Sequence, residues 1–237
     1  MANPVPTERL PVAILAGGLA TRLRPLTETI PKALIEVAGA PFVDHQLGLL
    51  RRNGYRDVVF CVGHLGAMLQ RHVGDGERFG LNVRYVEDGP TLLGTGGALR
   101  KAAPLLGEAF AVLYGDSYLP IDYARVEAGF HDCGRPALMT VYRNRDLYDR
   151  SNVVFRDGLV LLYDKSSRTP EMEYIDYGLS VIRRSVLEGY PERFDLASVF
   201  TALAMAGKLA GFEVTQRFFE IGSPAGLLEA ENYLRSR

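Results

Sequence analysis

Tryptophan is absent from the 237 residues, and cysteine occurs only as Cys61 and Cys133. Two cysteines so far apart offer no paired spacing for zinc or dithiol chemistry, and Cys61, inside the apolar run Val58 to Val62, reads as a buried thiol. No apolar run approaches the ~20 residues of a membrane-spanning helix. The opening MANPVPTERL lacks the charged-then-apolar order of a signal peptide, so the chain is expected to be cytoplasmic and off the membrane. An excess of either charge is also missing: 27 basic residues against 28 acidic ones give a formal charge of −1. That balance excludes a broad electrostatic footprint for nucleic acid. The histidines at 45, 64, 72 and 131 have no metal-type spacing and no evident Ser or Cys partner, and Ser117 is not in a G-x-S-x-G elbow. Hydrolysis through a covalent intermediate therefore lacks a nucleophile.

What is present is enough apolar material, 47% of the residues, to bury the core of one compact domain. Strand-length apolar runs occur at Val12 to Leu15, Val58 to Val62, Val83 to Val86, Phe110 to Tyr114 and Ala137 to Val141. Between them lie helical spacings at Phe42 to Arg52, Leu65 to Val73, Leu99 to Leu106 and Tyr123 to His131. Alternation of this kind predicts an α/β fold with a mixed, mostly parallel sheet sandwiched by helices. Ligands in such sheets sit beyond the carboxyl ends of the strands. After about Tyr142 the pattern changes to a hairpin around Asp157-Gly158, a strand from Tyr177 to Ile182, and helices from Leu196 to Ala206 and Pro224 to Leu234. This second half, about 143–237, is expected to lay a smaller α+β lobe over the first, about 11–142, within a single domain spanning 1–237.

The densest signal is Leu15 to Leu34, LAGGLATRLRPLTETIPKAL. A strand ending in Ala16-Gly17-Gly18 presents bare backbone N–H groups suited to phosphate oxygens, and Arg22, Arg24 and Lys32 follow closely. Gly115-Asp116 puts a carboxylate at the tip of a buried strand, either as a turn cap or as a Mg²⁺ ligand, since that ion takes only one or two protein carboxylates. Gly94-Thr95-Gly96-Gly97 opens a helix, either as a flexible start or as a backbone cradle for a base or ribose. Asp164-Lys165 and Tyr174 to Gly178, with Asp176, read as surface charges or as readers of phosphate and hydroxyls. Glu220 interrupts an apolar stretch before the Pro224 helix, and is either an edge-strand acid or a second metal ligand, because a buried carboxylate needs a partner.

Assembled in order, these motifs make the chain resemble the sugar-1-phosphate nucleotidyltransferases, or NDP-sugar pyrophosphorylases. The family's L-A-G-G-x-x-T-R-L-x-P-L-T falls on Leu15 to Thr27, P-K-x-L on Pro31 to Leu34, L-G-T-G-G-A on Leu93 to Ala98 and G-D on Gly115-Asp116. E-K appears as Asp164-Lys165, Y-I-N-A-G as Tyr174 to Gly178, and D-I-G as Glu220 to Gly222. The resemblance implies a Rossmann-like first half and a Mg²⁺-dependent reaction of an NTP with a sugar 1-phosphate, supplying NDP-sugars of the cell-envelope type. It also implies roles: Arg22 holds the triphosphate, Lys32 stabilises the transferring phosphorus, Asp116 and Glu220 bind metal, Lys165 takes the sugar phosphate, and Asp164, Asp176 and Gly178 form the sugar site. Ala16, Gly17, Gly18, Gly94, Thr95 and Gly96 would meet the nucleotide. No β-helix repeat follows Leu234, and a monomer or small homo-oligomer is expected.

The chain looks most similar to heptose 1-phosphate guanylyltransferases and N-acetylmuramate 1-phosphate uridylyltransferases. Glu87 favours GTP, with a heptose- or mannose-type 1-phosphate, because a carboxylate matches guanine's adjacent N–H donors. Two rivals remain. A phosphocholine-type cytidylyltransferase would need an aromatic cage, for which Tyr163, Tyr174 and Tyr177 are available. A non-catalytic nucleotide-binding regulator would follow if Glu220 failed as a metal ligand.

Overall fold

Residues 9–18 and 20–237 are described by a computed structural model. Strands β1 (Val12–Ala16), β4 (Asp57–Val62), β5 (Asn82–Glu87) and β6 (Ala109–Tyr114) form a parallel half-sheet in the order β5-β4-β1-β6. The apolar runs of β1, β4 and β6 are what a sheet covered on both faces requires, while the edge strand β5 alternates, with Asn82, Arg84 and Glu87 exposed. The small ladders β2 (Glu36–Val37) with β3 (Ala40–Pro41), and β7 (Ser117–Tyr118) with β13 (Phe219–Glu220), lie outside this sheet.

The second half is not laid over the first. Strand β11 (Tyr174–Arg183) runs antiparallel to both β6 and β8 (Ala137–Arg143), and beyond β8 come β12 (Leu209–Val214), β10 (Leu159–Tyr163) and β9 (Val153–Arg156). One nine-stranded sheet therefore crosses the chain. Its two faces bury separate apolar layers. Val12, Ile14, Phe60 and Leu113 pack with helices α1 (Phe42–Arg52), α2 (Gly66–Val73), α4 (Tyr123–Cys133) and α6 (Pro224–Arg235), while Ala13, Val59, Cys61 and Val112 pack with α3 (Gly94–Ala102) and α5 (Leu196–Met205).

Several element boundaries differ from expectation by a few residues, and one strand was not expected. The helix expected over Leu99 to Leu106 starts at Gly94 and ends at Ala102, where a 3₁₀ turn, Ala103–Leu105, takes over. Strand β12 went unread because Gly211 interrupts it. A Cβ at Gly211 would lie 2.4 Å from the Phe155 ring, so the glycine makes room for a neighbouring aromatic. The hairpin at Asp157 (φ 51°) and Gly158 (φ 76°) is as expected, both residues taking the left-handed values of a two-residue turn.

One buried acid lies far from the strand tips. Glu127, 5% exposed, has Arg9 at 3.5 Å, while its Oε1 and the Tyr55 hydroxyl have no hydrogen-bond partner among the described residues. Burial pushes the Glu127 carboxyl above the usual carboxylate range, against the pull of the Arg9 charge. An acid whose folded-state pKa is raised costs stability as pH rises through the interval between its unfolded and folded values. Glu127→Gln removes that cost, so on acidification from neutral pH toward the ordinary carboxylate range the parent should gain melting temperature relative to this variant, as calorimetry will show.

Candidate active site

The parallel half-sheet delivers its strand ends to one edge. Ala16 pairs with Val62 and Leu15 with Tyr114, and Gly115 N–H donates to the Leu15 carbonyl at 2.9 Å. Gly17 and Asp116 thus leave the sheet side by side. Gly17 meshes with Gly63: a Cβ on Gly63 would fall 2.8 Å from the Gly17 carbonyl oxygen. Gly18 by contrast opens onto free space. Downstream, the buried Thr27 donates its hydroxyl to the Ala20 carbonyl at 2.8 Å, closing the segment whose 3₁₀ turn carries Arg22.

Asp116 is fixed from three sides. Gln46, 2% exposed, donates its Nε2 to the Tyr114 and Ser117 carbonyls, each at 2.9 Å. Ile221 N–H donates to the Asp116 carbonyl at 2.9 Å, and the β7–β13 ladder sets Glu220 opposite Ser117. Lys32 then reaches Asp116 Oδ2 with its Nζ at 2.7 Å. Burial pushes the Glu220 carboxyl above its ordinary range; the charges of Asp116 and Asp149 add to this, and Arg22 and Lys32 oppose it.

Two cavities meet here. The first, about 270 Å³, is lined by Ala16, Gly17, Gly18, Lys32, Gly94 and Thr95. The second, about 330 Å³, is lined by Arg22, Lys165, Asp176, Gly178 and Glu220. Asp116 and Tyr114 line both. Arg22, expected on the triphosphate, thus stands on the second-cavity side of Asp116, near Glu220. In the second cavity Lys165 Nζ lies 3.9 Å from Asp176 Oδ2 and 5.1 Å from the Tyr114 ring centroid. The positive φ of Gly178 (103°) belongs to the irregular stretch of β11 between Asp176 and Ser180, and its N–H donates to Asp176 Oδ1 at 3.0 Å.

Other expected residues are not brought together. Glu87 is exposed and lines neither cavity; its neighbour Asp88 lines the first cavity instead. The Asp88 carboxyl is raised by burial and held by the Leu93 N–H at 3.2 Å. Strand-end position alone left two adjacent carboxylates to choose between. Asp164 lines neither cavity; its Oδ1 accepts from Ser166 N and Oγ and from Ser167 N. The glycine cradle is also not free. Gly96 and Gly97 N–H donate to the Phe194 carbonyl at 3.0 and 3.1 Å, and a Cβ on Gly96 would lie 2.3 Å from the Phe194 ring. These glycines admit the 192–195 segment, which places Asp195 on the first cavity. Gln46, Asp88, Asp195 and Arg150 were not legible as site residues. The tyrosines named for a cage do not converge: Tyr163 packs on Phe200 and Tyr174 on Phe155, and of the three only Tyr177 lines the second cavity.

Among the described residues no group of three or more His, Cys, Asp or Glu is arranged for a metal. Asp116 and Glu220 are a donor pair of the size Mg²⁺ takes when phosphate supplies the rest of the shell. Among the described residues no helix is long and apolar enough to cross a membrane.

The chain is similar to known proteins. A solved structure of HddC from Yersinia pseudotuberculosis complexed with GMP-PN superposes with a TM-score of 0.81 at 23% identity, covering 95% of this chain and 99% of that one, which shows a shared fold. The N-acetylmuramate alpha-1-phosphate uridylyltransferase of Neisseria meningitidis serogroup B is 39% identical over 111 residues, 46% of this chain and 48% of the relative. A mannose-1-phosphate guanylyltransferase of Mycobacterium tuberculosis is 29% identical over 227 residues, 92% of this chain and 62% of the relative. The chain thus spans less than two thirds of the length of these two transferases, the uridylyltransferase and the guanylyltransferase. The family model described as Nucleotidyl transferase matches residues 12–147, more than half of the sequence, and the chain belongs to that family.

Proposed function

We propose that the chain transfers a nucleotidyl group from an NTP to a sugar 1-phosphate, with Mg²⁺ required. The observation that carries this reading is the sharing of Asp116 by two cavities, one walled largely by backbone and apolar side chains with Lys32, Asp88 and Asp195 among them, the other mostly by polar and charged ones. A nucleoside triphosphate fits the first, with its phosphates along Gly17, Gly18 and Lys32. A sugar 1-phosphate fits the second, against Lys165. A phosphate oxygen of the sugar attacks the α-phosphorus, the bond to the β-phosphate breaks, and pyrophosphate leaves with the electron pair. Held at the junction, the two substrates react without a protein nucleophile, so the protein's part is positioning and charge stabilisation. Asp116 and Glu220 would hold the Mg²⁺, which when bound neutralises the phosphate charge gathered there. Lys32 stabilises the negative charge that grows on the α-phosphate, and Asp116 orients the ammonium. Arg22 balances Glu220.

With Glu87 outside the cavity, the reason for preferring guanine is gone. Asp88 offers an acceptor to either the paired donors of guanine or the single N–H of uracil, so UTP stands beside GTP. The test is a coupled pyrophosphate assay pairing the common NTPs with a panel of sugar 1-phosphates in Mg²⁺. Release is expected only when both substrates are present, and to stop on chelation with EDTA. Nucleotide binding with no release from any pair would refute the transfer reading and support a regulator. Lys32→Ala should lower kcat/KM of the active pair by about 10²- to 10³-fold, the cost of removing one transition-state charge donor.

A further inference from the structure

Helix α1 holds the chain around Asp116 with polar side chains that line neither cavity. Gln46 and the C-cap residue Asn53 fall about two turns apart on one face of the helix. Asn53 Oδ1 accepts the Tyr123 N–H at 3.0 Å, and Arg52 donates to the Tyr118 hydroxyl at 3.2 Å. Gln46 sits at the other end of this seam. Both hydrogens of its Nε2 are engaged there, one by the Tyr114 carbonyl and one by the Ser117 carbonyl. Those carbonyls bracket Gly115-Asp116, so a single amide spans the turn that carries the carboxylate.

Two further observations set Gln46 apart from an ordinary turn anchor. Its Oε1 is buried with no hydrogen-bond partner among the described residues, and rotating the amide would turn that oxygen toward two carbonyls. The fold thus tolerates an unpaired buried oxygen, which is costly in an interior, and keeps the NH₂ on this turn. The turn also has no slack on its other side. A Cβ on Gly115 would lie 3.0 Å from the Leu15 carbonyl oxygen, the same oxygen that accepts the Gly115 N–H at 2.9 Å. Pressed against β1 and gripped by α1, the turn passes its position on to the side chain. Ser117, whose carbonyl Gln46 holds, donates its Oγ to Asp116 Oδ1 at 3.4 Å, while Lys32 occupies Oδ2.

We infer that Gln46 is a positioning residue for the metal carboxylate: it lines neither substrate cavity and acts by fixing where Asp116 stands. The inference rests on the reading of Asp116 as a Mg²⁺ ligand. Groups that orient a metal ligand from behind change metal affinity or turnover by about 10- to 100-fold when removed. Displacing a reacting group by an ångström has an effect of about 100-fold.

Gln46→Met keeps the length of the side chain and loses both donors. With the full chain and the active substrate pair, kcat should fall by about 10- to 100-fold with KM for the sugar phosphate nearly unchanged, and half-maximal release should need more Mg²⁺. Mn²⁺ binding in the presence of an inert NTP analogue, followed by electron paramagnetic resonance without sugar phosphate, should weaken by about 10-fold. Gln46→His retains one N–H donor; it should recover part of each loss, and it takes the place of the Met variant if that chain does not fold. Asn53→Ala breaks a bond of the same helix to the same segment away from the turn, so it should lower the melting temperature and leave Mn²⁺ binding alone. Mn²⁺ binding in Gln46→Met equal to that of the parent overturns the inference, whatever happens to the melting temperature. Weakened Mn²⁺ binding in the variant, with no pyrophosphate release by the parent from any substrate pair, would support the inference while refuting the transfer reading.

Discussion

Asp116→Asn is expected to lower pyrophosphate release by about 10³-fold while leaving the protein folded. The size of the effect follows from how many charges meet on this carboxylate. Its Oδ2 holds Lys32 Nζ at 2.7 Å, its charge acts on Glu220, and its side chain borders both cavities. The amide keeps the shape and leaves the Ile221 N–H bond to the Asp116 carbonyl in place, so the turn survives. What disappears is one negative charge at the point where metal and phosphates are to be assembled. Removing a single preorganised charge contact costs ~10²- to 10³-fold in turnover, and here the variant loses a metal donor and the Lys32 partner together. The ion pair is part-exposed, so its loss should change stability by under ~1 kcal/mol. Pyrophosphate release measured beside a thermal melt separates the two effects. Retained turnover in Asp116→Asn would remove the metal assignment.

Gly96→Ala should unfold the protein at a distinctly lower temperature, with or without nucleotide. The added methyl would sit 2.3 Å from the Phe194 ring, and Phe194 is 8% exposed, so neither partner has free volume to move into. Overpacking of this kind costs about 1–3 kcal/mol, equivalent to roughly 3–10 °C in a domain of this size. Gly18→Ala is the contrasting change, because a Cβ there meets nothing within 4 Å. It should leave the melting temperature alone and weaken NTP binding by narrowing the first cavity. A stable Gly96→Ala variant with weakened NTP binding would restore the nucleotide-cradle reading of the glycine loop.

The two glycine loops show how far a sequence can be read. Gly17-Gly18 was legible because its meaning is local: a strand, then bare backbone, then cations. Gly94 to Gly97 carries the same local appearance, but its N–H groups are engaged by a carbonyl about a hundred residues later, and nothing nearby announces Phe194. Asp116 and Glu220 were named as a pair by resemblance, yet the reason they meet is a two-residue ladder between β7 and β13, too short to register as alternation. Glu87 and Asp88 differ only in which side of a strand end each faces, and that depends on the register of β5 against β4. Long apolar strands were read correctly because burial on both faces leaves composition no freedom. The joining of the halves was not, since β11 looks the same whether it begins a new sheet or enters an old one.

The position of β11 between β6 and β8 has a mechanical consequence. A cleft formed by two bodies can shut by a hinge, but here the walls on either side of Asp116 hang from one continuous hydrogen-bonded ladder. Bending that ladder would break main-chain pairing across the whole core. Under the proposed reaction, closure over the substrates is expected from connecting segments above the strand tips, such as 20–31 and 144–151, rather than from bending of the sheet beneath.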